Sequence, residues 1–290
     1  MEMKGKLIAA SVFVVAVVVA VGIVGLLSGP AGAEILFETT KLDVPNEMWL
    51  LKKADTITED RAVFITSIFG VHGNLVRTES GWLMVENGPE PGTFSEVHVF
   101  QYGGFRHLDD YQMRHRFIKP EDFLSDNECV EIANRFLEDL RREGLIPQDQ
   151  NLSIGFKDVI ADIVTNGVTT YFTNKHVNYD LSYGDIPPFV GGMTKLRVYL
   201  NETGEITGFF GDFYRFEPFE KVKILQPEDA IQKTISPNIT RVRVKSITLV
   251  YLVGLPEDPY IRPSYDVRME YEMEDGSQVS SVAVIPAFEQ

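Results

Sequence analysis

The pattern of apolar and polar positions divides this chain into one extreme segment and a long ordinary one. Leu7 to Leu27 is an almost unbroken run of Val, Ala, Leu, Ile and Phe, and no charged residue occurs between Lys6 and Glu34. As a helix this run would span roughly 31 Å at 1.5 Å per residue, about one bilayer core. Lys4 and Lys6 precede it while Glu34 and Glu38 follow, so the positive-inside rule places the N-terminus in the cytoplasm. The run exceeds the apolar core of a usual signal peptide, which favours an uncleaved anchor over residues 1–33. The alternative is a signal peptide cut after Ala33, at the small-x-small sequence Ala31-Gly32-Ala33. Both readings expect residues 34–290 outside the cytoplasm, tethered to the cell membrane by one pass or secreted if cut.

Beyond that segment, helix-start signals recur before sets of short strands. Thr58-Glu59-Asp60, Ser125-Asp126-Asn127-Glu128 and Gln226-Pro227-Glu228-Asp229 each set a polar residue before acidic ones and a small residue four positions on: Ala62, Cys129, Ala230. A side-chain oxygen there satisfies free N–H groups, and carboxylates suit the positive helix end. Ser125 with Glu128 forms a capping box, and Pro227 suits the first helical position. The middle helix is the clearest: Cys129, Ile132, Ala133, Phe136, Leu137 and Leu140 make one apolar stripe, stopped by Gly144 and Pro147.

Three hairpins follow the helices. Val97–Phe100 turns at Gly103-Gly104 into Phe105–Leu108, Leu196–Leu200 turns near Gly204 into Ile206–Phe210, and Val267–Met273 turns at Asp275-Gly276 into Val279–Val284. The middle set is enlarged by long strands around Phe156–Val164 and Thr169–Tyr183. The expected fold class is therefore α+β: an N-terminal transmembrane helix, then tandem units of one helix packed on an antiparallel sheet. The expected segments are 1–33 for the anchor or signal, then units over 34–119, 120–220 and 221–290.

Composition narrows the chemistry. The 290 residues carry 27 basic and 42 acidic side chains, a net charge of −15, and removing Glu2, Lys4 and Lys6 leaves the rest one charge more acidic. That balance argues against nucleic acid, whose binding needs a basic footprint. A lone cysteine excludes an intramolecular disulfide and cysteine-rich metal centres. The capped helix with its small residue, followed by strands ending in an acidic-Gly hairpin, resembles PepSY-like domains and the YycI/YycH-type membrane-anchored regulators. The pieces that match are Thr58–Ala62, Ser125–Ala133 and Gln226–Ala230, with the turns at Gly104, Gly204 and Gly276. The resemblance implies a non-catalytic role, inhibiting a peptidase or restraining a sensor, and it brings no catalytic residues with it.

Cys129 stands where the other helices have alanine and reads as a packing residue. His107, Asp109, Asp110 and His115 are the nearest approach to a polar cluster, but they lack metal-ligand spacing, so no catalytic residue, metal or cofactor is expected. Glu270, Glu272 and Glu274 alternate along one strand and match Arg241, Arg243 and Lys245 on another, as a cross-strand charge ladder would. Six aromatics crowd one stretch: Phe209, Phe210, Phe213, Tyr214, Phe216 and Phe219. Neighbours in a strand cannot share a face, so Phe209 and Phe210 must part, and this segment is the expected interaction site. Asn151, Asn201 and Asn238 open glycosylation sequons, with Asn201 expected in an exposed turn. The leading expectation is an extracytoplasmic regulator of a protein partner at the membrane, a sensor ectodomain or a peptidase. The rivals are an envelope hydrolase built around His107, Asp109 and His115, and a structural cell-surface protein.

Overall fold

The computed structural model describes residues 33–54, 57–114, 117–166, 169–191 and 196–289. Strands dominate it. In chain order they begin with β1 (Glu34–Phe37) and β2 (Glu47–Lys53), then helix α1 (Glu59–Ile68), β3 (Leu75–Arg77), β4 (Gly81–Asn87), β5 (Phe94–Phe100) and β6 (Phe105–Asp109). The short helix α2 (Asp110–Arg114) and the long α3 (Asp126–Arg142) lead to a hairpin of β7 (Leu152–Asn166) and β8 (Thr169–Tyr183). Then come β9 (Phe189–Val190), β10 (Leu196–Leu200), β11 (Ile206–Gly211), β12 (Phe216–Lys223), helix α4 (Pro227–Gln232), β13 (Ile239–Val253), β14 (Tyr260–Met273) and β15 (Gln278–Pro286).

These strands form two sheets. The larger is fully antiparallel in the order β3-β4-β5-β6-β11-β10-β8-β7. The second runs β1-β13-β14-β2-β12, with β15 on β14 and β9 on β13. Helices α1 and α3 lie together over one face of the larger sheet. Ala62 and Ile65 of α1 and Cys129, Ala133 and Leu137 of α3 bury against Val97, Phe105, Val177, Val198 and Phe209. Cys129 is fully buried there, and burial pushes its thiol pKa up, as befits a packing residue. A second core, built on Val242, Val244, Tyr265, Val267 and Met269, lies in the other sheet. A third, with Leu51, Phe100, Tyr214, Tyr251 and Ile261, joins the two.

This architecture corrects the α+β expectation of tandem helix-on-sheet units. The local signals are real: Thr58 Oγ1 accepts the Arg61 N–H at 3.3 Å, Ser125 and Glu128 cap α3 reciprocally, and all three hairpins are present. They specify neighbours in sequence, however, whereas the sheets are closed by distant pairings. β11 returns to β6, so the first two hairpins share one sheet and two helices share its face. Residues 34–53 pair instead with strands beyond residue 215. α4 spans six residues, too little to cover a sheet of its own.

The apolar run over 7–27 lies outside the described residues. Among the described residues no helix is long and apolar enough to cross a membrane: the longest, α3, has 17 residues and a charged face. The single-pass, membrane-tethered placement is corrected accordingly, and no membrane span is part of the described fold. Ala33 packs at the margin of the second core, and β1 begins at the next residue.

The charge ladder forms at Glu270 and Glu272, while Glu274 lies beyond the end of β14, and it extends one strand further than its two predicted members. Arg241 stands opposite Glu272 and Arg243 opposite Glu270. Arg241 Nη1 reaches Glu272 at 3.1 Å and Lys245 Nζ reaches Glu270 at 3.0 Å. From the other side, parallel β1 brings Glu34 to within 2.7 Å of Arg241 and Glu38 to within 2.8 Å of Lys245.

Where the sheets meet, one glycine is required by geometry. Gly103 has φ +105°, and a Cβ on it would lie 2.5 Å from the Phe213 carbonyl oxygen. Gly92 has φ +85° with open space around it. Gly103→Ala is expected to add a steric cost to the roughly 1–3 kcal/mol of a strained backbone, whereas Gly92→Ala bears the backbone cost alone. Denaturant midpoints of the two variants measure the difference.

Candidate functional site

The six aromatics expected to form one interaction site are distributed over the molecule. Phe209 is fully buried under the helices, and Phe213 lies in the same core. Phe210 points to the opposite sheet face, between the Arg106 guanidinium at 5.2 Å and the Tyr199 ring at 5.6 Å, so the two neighbours do part. Tyr214 and Phe216 belong to the junction between sheets. Phe219 is exposed on β12, against Tyr260 at 5.2 Å. No single groove gathers them.

The hydrolase constellation also comes apart. His107 is buried on the helix-covered face, stacked on Phe69 at 4.6 Å, and burial lowers its pKa to about 4. Its Nε2 lies 3.4 Å from Ser95 Oγ, but its Nδ1 has no hydrogen-bond partner among the described residues. A carboxylate on Nδ1 is what fixes the tautomer of a catalytic histidine. Asp109 instead accepts the Gln112 N–H at 3.0 Å, and His115 lies outside the described residues. Among the described residues no group of three or more His, Cys, Asp or Glu could hold a metal ion.

The sequons divide as well. Asn201, expected in an exposed turn, is fully buried. Its Oδ1 accepts N–H groups from Thr203 at 3.0 Å and Glu205 at 2.9 Å, and its Nδ2 donates to Glu205 at 2.6 Å. The side chain is the frame of the β10–β11 turn. Asn151 and Asn238 are exposed.

What stands out is the free side of β7, the terminal strand of the larger sheet. β7 and β8 are rich in β-branched and aromatic residues, which favour a pleated surface, and 15 residues each extend roughly 50 Å at 3.3 Å per residue. β8 is held on its other side by β10; β7 has no partner there among the described residues. An open edge presents a row of backbone N–H and C=O groups ready to pair. On β7 that row is flanked by exposed apolar side chains: Phe156 (55%), Ile160 (45%), Ile163 (61%) and Val164 (41%).

The pairing register sorts these by face. Val159 stands opposite buried Val177, toward the helices, so Ile160, Asp158 and Asp162 face the other way. Lys157 is the extra residue of a bulge on β7; the second irregularity inserts Thr173 into β8. From Asp158 to Asn166 the β7 edge therefore runs without a bulge of its own. Asp158 accepts the Asn178 side-chain N–H at 2.5 Å, and Asp162 lies 3.6 Å from His176 Nδ1. The two carboxylates give the outer face a negative stripe.

Other open edges are blunted. β1 and β3 have four and three residues. β12 carries Pro218 with Glu217, Glu220, Lys221 and Lys223, the proline and charges that discourage pairing. β15 sets Ser280 and Ser281 between exposed Val279 and Val282. β7 differs in combining 15 residues, no proline and a run of exposed apolar side chains. Sequence reading missed it because apolar residues of both parities suggest a strand buried on two faces. Only the pairing order shows that β7 is at an edge.

No family model matches the chain, and no curated protein does either. Among solved structures it is similar to the crystal structure of an uncharacterized protein from Eubacterium rectale ATCC 33656, with 13% identity over 88% of each chain and a TM-score of 0.41. A likeness that distant carries no argument about function.

Proposed function

We propose that this chain is a non-catalytic binding protein that takes up an extended segment of a protein partner as an additional strand on β7. The observation that supports this reading is the long open edge with four exposed large apolar side chains and two carboxylates on one face. Main-chain pairing along such an edge supplies affinity, and alternate side chains supply selection. Asp158 and Asp162 select a partner strand with Lys or Arg on the face they share and apolar residues on the other. The net charge of −15 acts in the same direction, steering a basic segment toward the chain and repelling an acidic one.

A labelled ten-residue peptide of alternating Lys and Val tests the reading by fluorescence anisotropy. It is expected to bind at least tenfold more tightly than the Glu/Val peptide of the same length. The double variant Ile160→Lys, Ile163→Lys is expected to lose that preference, since it adds like charge and removes apolar contact on both faces. Equal binding of the two peptides, or unchanged binding by the double variant, would overturn the proposal.

A further inference from the structure

A second site lies away from β7, in a cleft of about 310 Å³ where α1, the end of α3 and the Gly103-Gly104 turn meet. That volume is at the lower end of the roughly 300–1,000 Å³ typical of small-molecule sites. Ile65, Leu145, Tyr102 and Phe213 give it apolar walls. Its polar side chains of note are two arginines, Arg61 and Arg215, and among the described residues lining it there is no carboxylate. In a chain with 42 acidic and 27 basic residues, that local balance is the reverse of the average.

The two cations are held differently. Arg61 Nη2 donates to the carbonyls of Glu143 and Gly144 at 3.2 and 3.1 Å, where α3 ends, and its guanidinium packs on Phe64 at 5.0 Å. These contacts fix the group at the cleft while its Nε and Nη1 donors have no hydrogen-bond partner among the described residues. Arg215 is half exposed and stands 3.6 Å from Asp149, itself largely exposed, an ion pair of the weak surface kind. Lys53 lies behind Tyr102, 5.7 Å from its ring, and does not line the cleft; Asp258 and Asp212 offset its charge. A planar guanidinium matches a carboxylate in a two-point fork. The apolar walls, in turn, exclude a small bare anion such as phosphate or sulfate as the intended occupant, because nothing on it would bury them.

We propose that this cleft binds a small organic acid, with its carboxylate on Arg61 and Arg215 and an apolar body against Ile65, Leu145 and Phe213. The Gly103-Gly104 turn shapes one wall: the Gly103 φ of +105° and the 2.5 Å approach of a hypothetical Cβ to Phe213 leave no room for a larger residue. The site is independent of strand addition on β7, and each can fail alone.

The probe is 3-phenylpropionate, with 3-phenylpropanamide as the neutral analogue of the same shape, followed by amide NMR of the full chain. The acid is expected to bind at least tenfold more tightly than the amide and to shift the Gly103 and Gly104 resonances. Arg215→Met, at a half-exposed position, is expected to weaken the acid at least fivefold and leave the amide unchanged. Arg61→Met should do the same; if it fails to fold, Arg215→Met with the acid–amide comparison still decides. Equal affinity for acid and amide, no binding of either by about 10 mM, or shifts confined to other residues would each overturn the proposal.

Discussion

Replacing Phe209 by alanine is expected to destabilise the chain by about 3–5 kcal/mol, the range for truncating a buried aromatic. The ring is fully buried at the centre of β11, which joins the two halves of the larger sheet. It lies 5.0 Å from Phe105, 5.5 Å from Phe136, 6.1 Å from Phe69 and 6.3 Å from Phe213. Those four rings come from a strand, the end of α1, the interior of α3 and a loop, so the cavity cannot be closed by one small shift. Gly211 is already reduced to a hydrogen to admit the ring, since a Cβ there would meet it at 2.4 Å. Because whole domains are stable by only about 5–15 kcal/mol, this loss is decisive. Denaturant unfolding measures it as a lower midpoint at unchanged slope; a cost below about 1 kcal/mol would contradict the packing described.

The second large effect concerns Lys53, a lysine that is 2% exposed at the junction of the sheets. Its Nζ lies over the rings of Tyr214 at 4.7 Å and Tyr102 at 5.7 Å and donates to the Leu255 carbonyl at 3.2 Å. Burial pushes its pKa down from 10.5 to about 8, against the opposing pull of Asp258, Asp212 and Glu257. The folded state thus binds its proton less firmly than the unfolded state. The Lys53 contribution to stability is lowest below about pH 8, where both states hold the proton, and rises as pH climbs from about 8 toward 10.5. Buried tyrosines such as Tyr214 and Tyr265, whose hydroxyl pKa values burial raises, oppose it at the upper end, so the effect is read as the difference between parent and variant. At about 1.4 kcal/mol per pKa unit the rise amounts to roughly 3 kcal/mol. Lys53→Met, which keeps most of the side chain and removes the charge, is expected to be at least as stable as the parent at pH 7 and to flatten this rise. Urea titrations at pH 7 and pH 10 measure both. A parent whose stability falls over that interval while Lys53→Met follows the same curve would contradict the assignment.

The sequence was informative wherever structure is decided by near neighbours. The Ser125–Glu128 capping box, the glycines that end α3 and turn the hairpins, and the parting of Phe209 from Phe210 all follow from spacing alone. So does the matching of the Arg241–Lys245 face with the acidic face of β14, though not its register, because two alternating strands of opposite charge lie close in sequence. Distant closure was not legible. Nothing in Glu34–Phe37 announces that it will lie parallel to β13, 207 positions on, and nothing in Ile206–Gly211 says that it returns to β6. Reading each helix with the strands that follow it therefore produced separate units, where the chain instead interleaves two sheets. The same blindness hid the candidate site. A run such as Val159-Ile160-Ala161 is compatible with a central strand or an edge, and the difference lies in what pairs beside it. The buried Asn201 was misplaced for a related reason: a turn residue is usually solvated, but this one turns its side chain inward to hold Thr203 and Glu205.

Amide hydrogen exchange of the full chain, with and without the Lys/Val peptide, tests the central claim most directly. Strand addition predicts slowed exchange within residues 158–166, where the outer amides of β7 gain partners, and little change along β12 and β15. Protection at β12 or β15 instead, or none along β7 at saturating peptide, would contradict it.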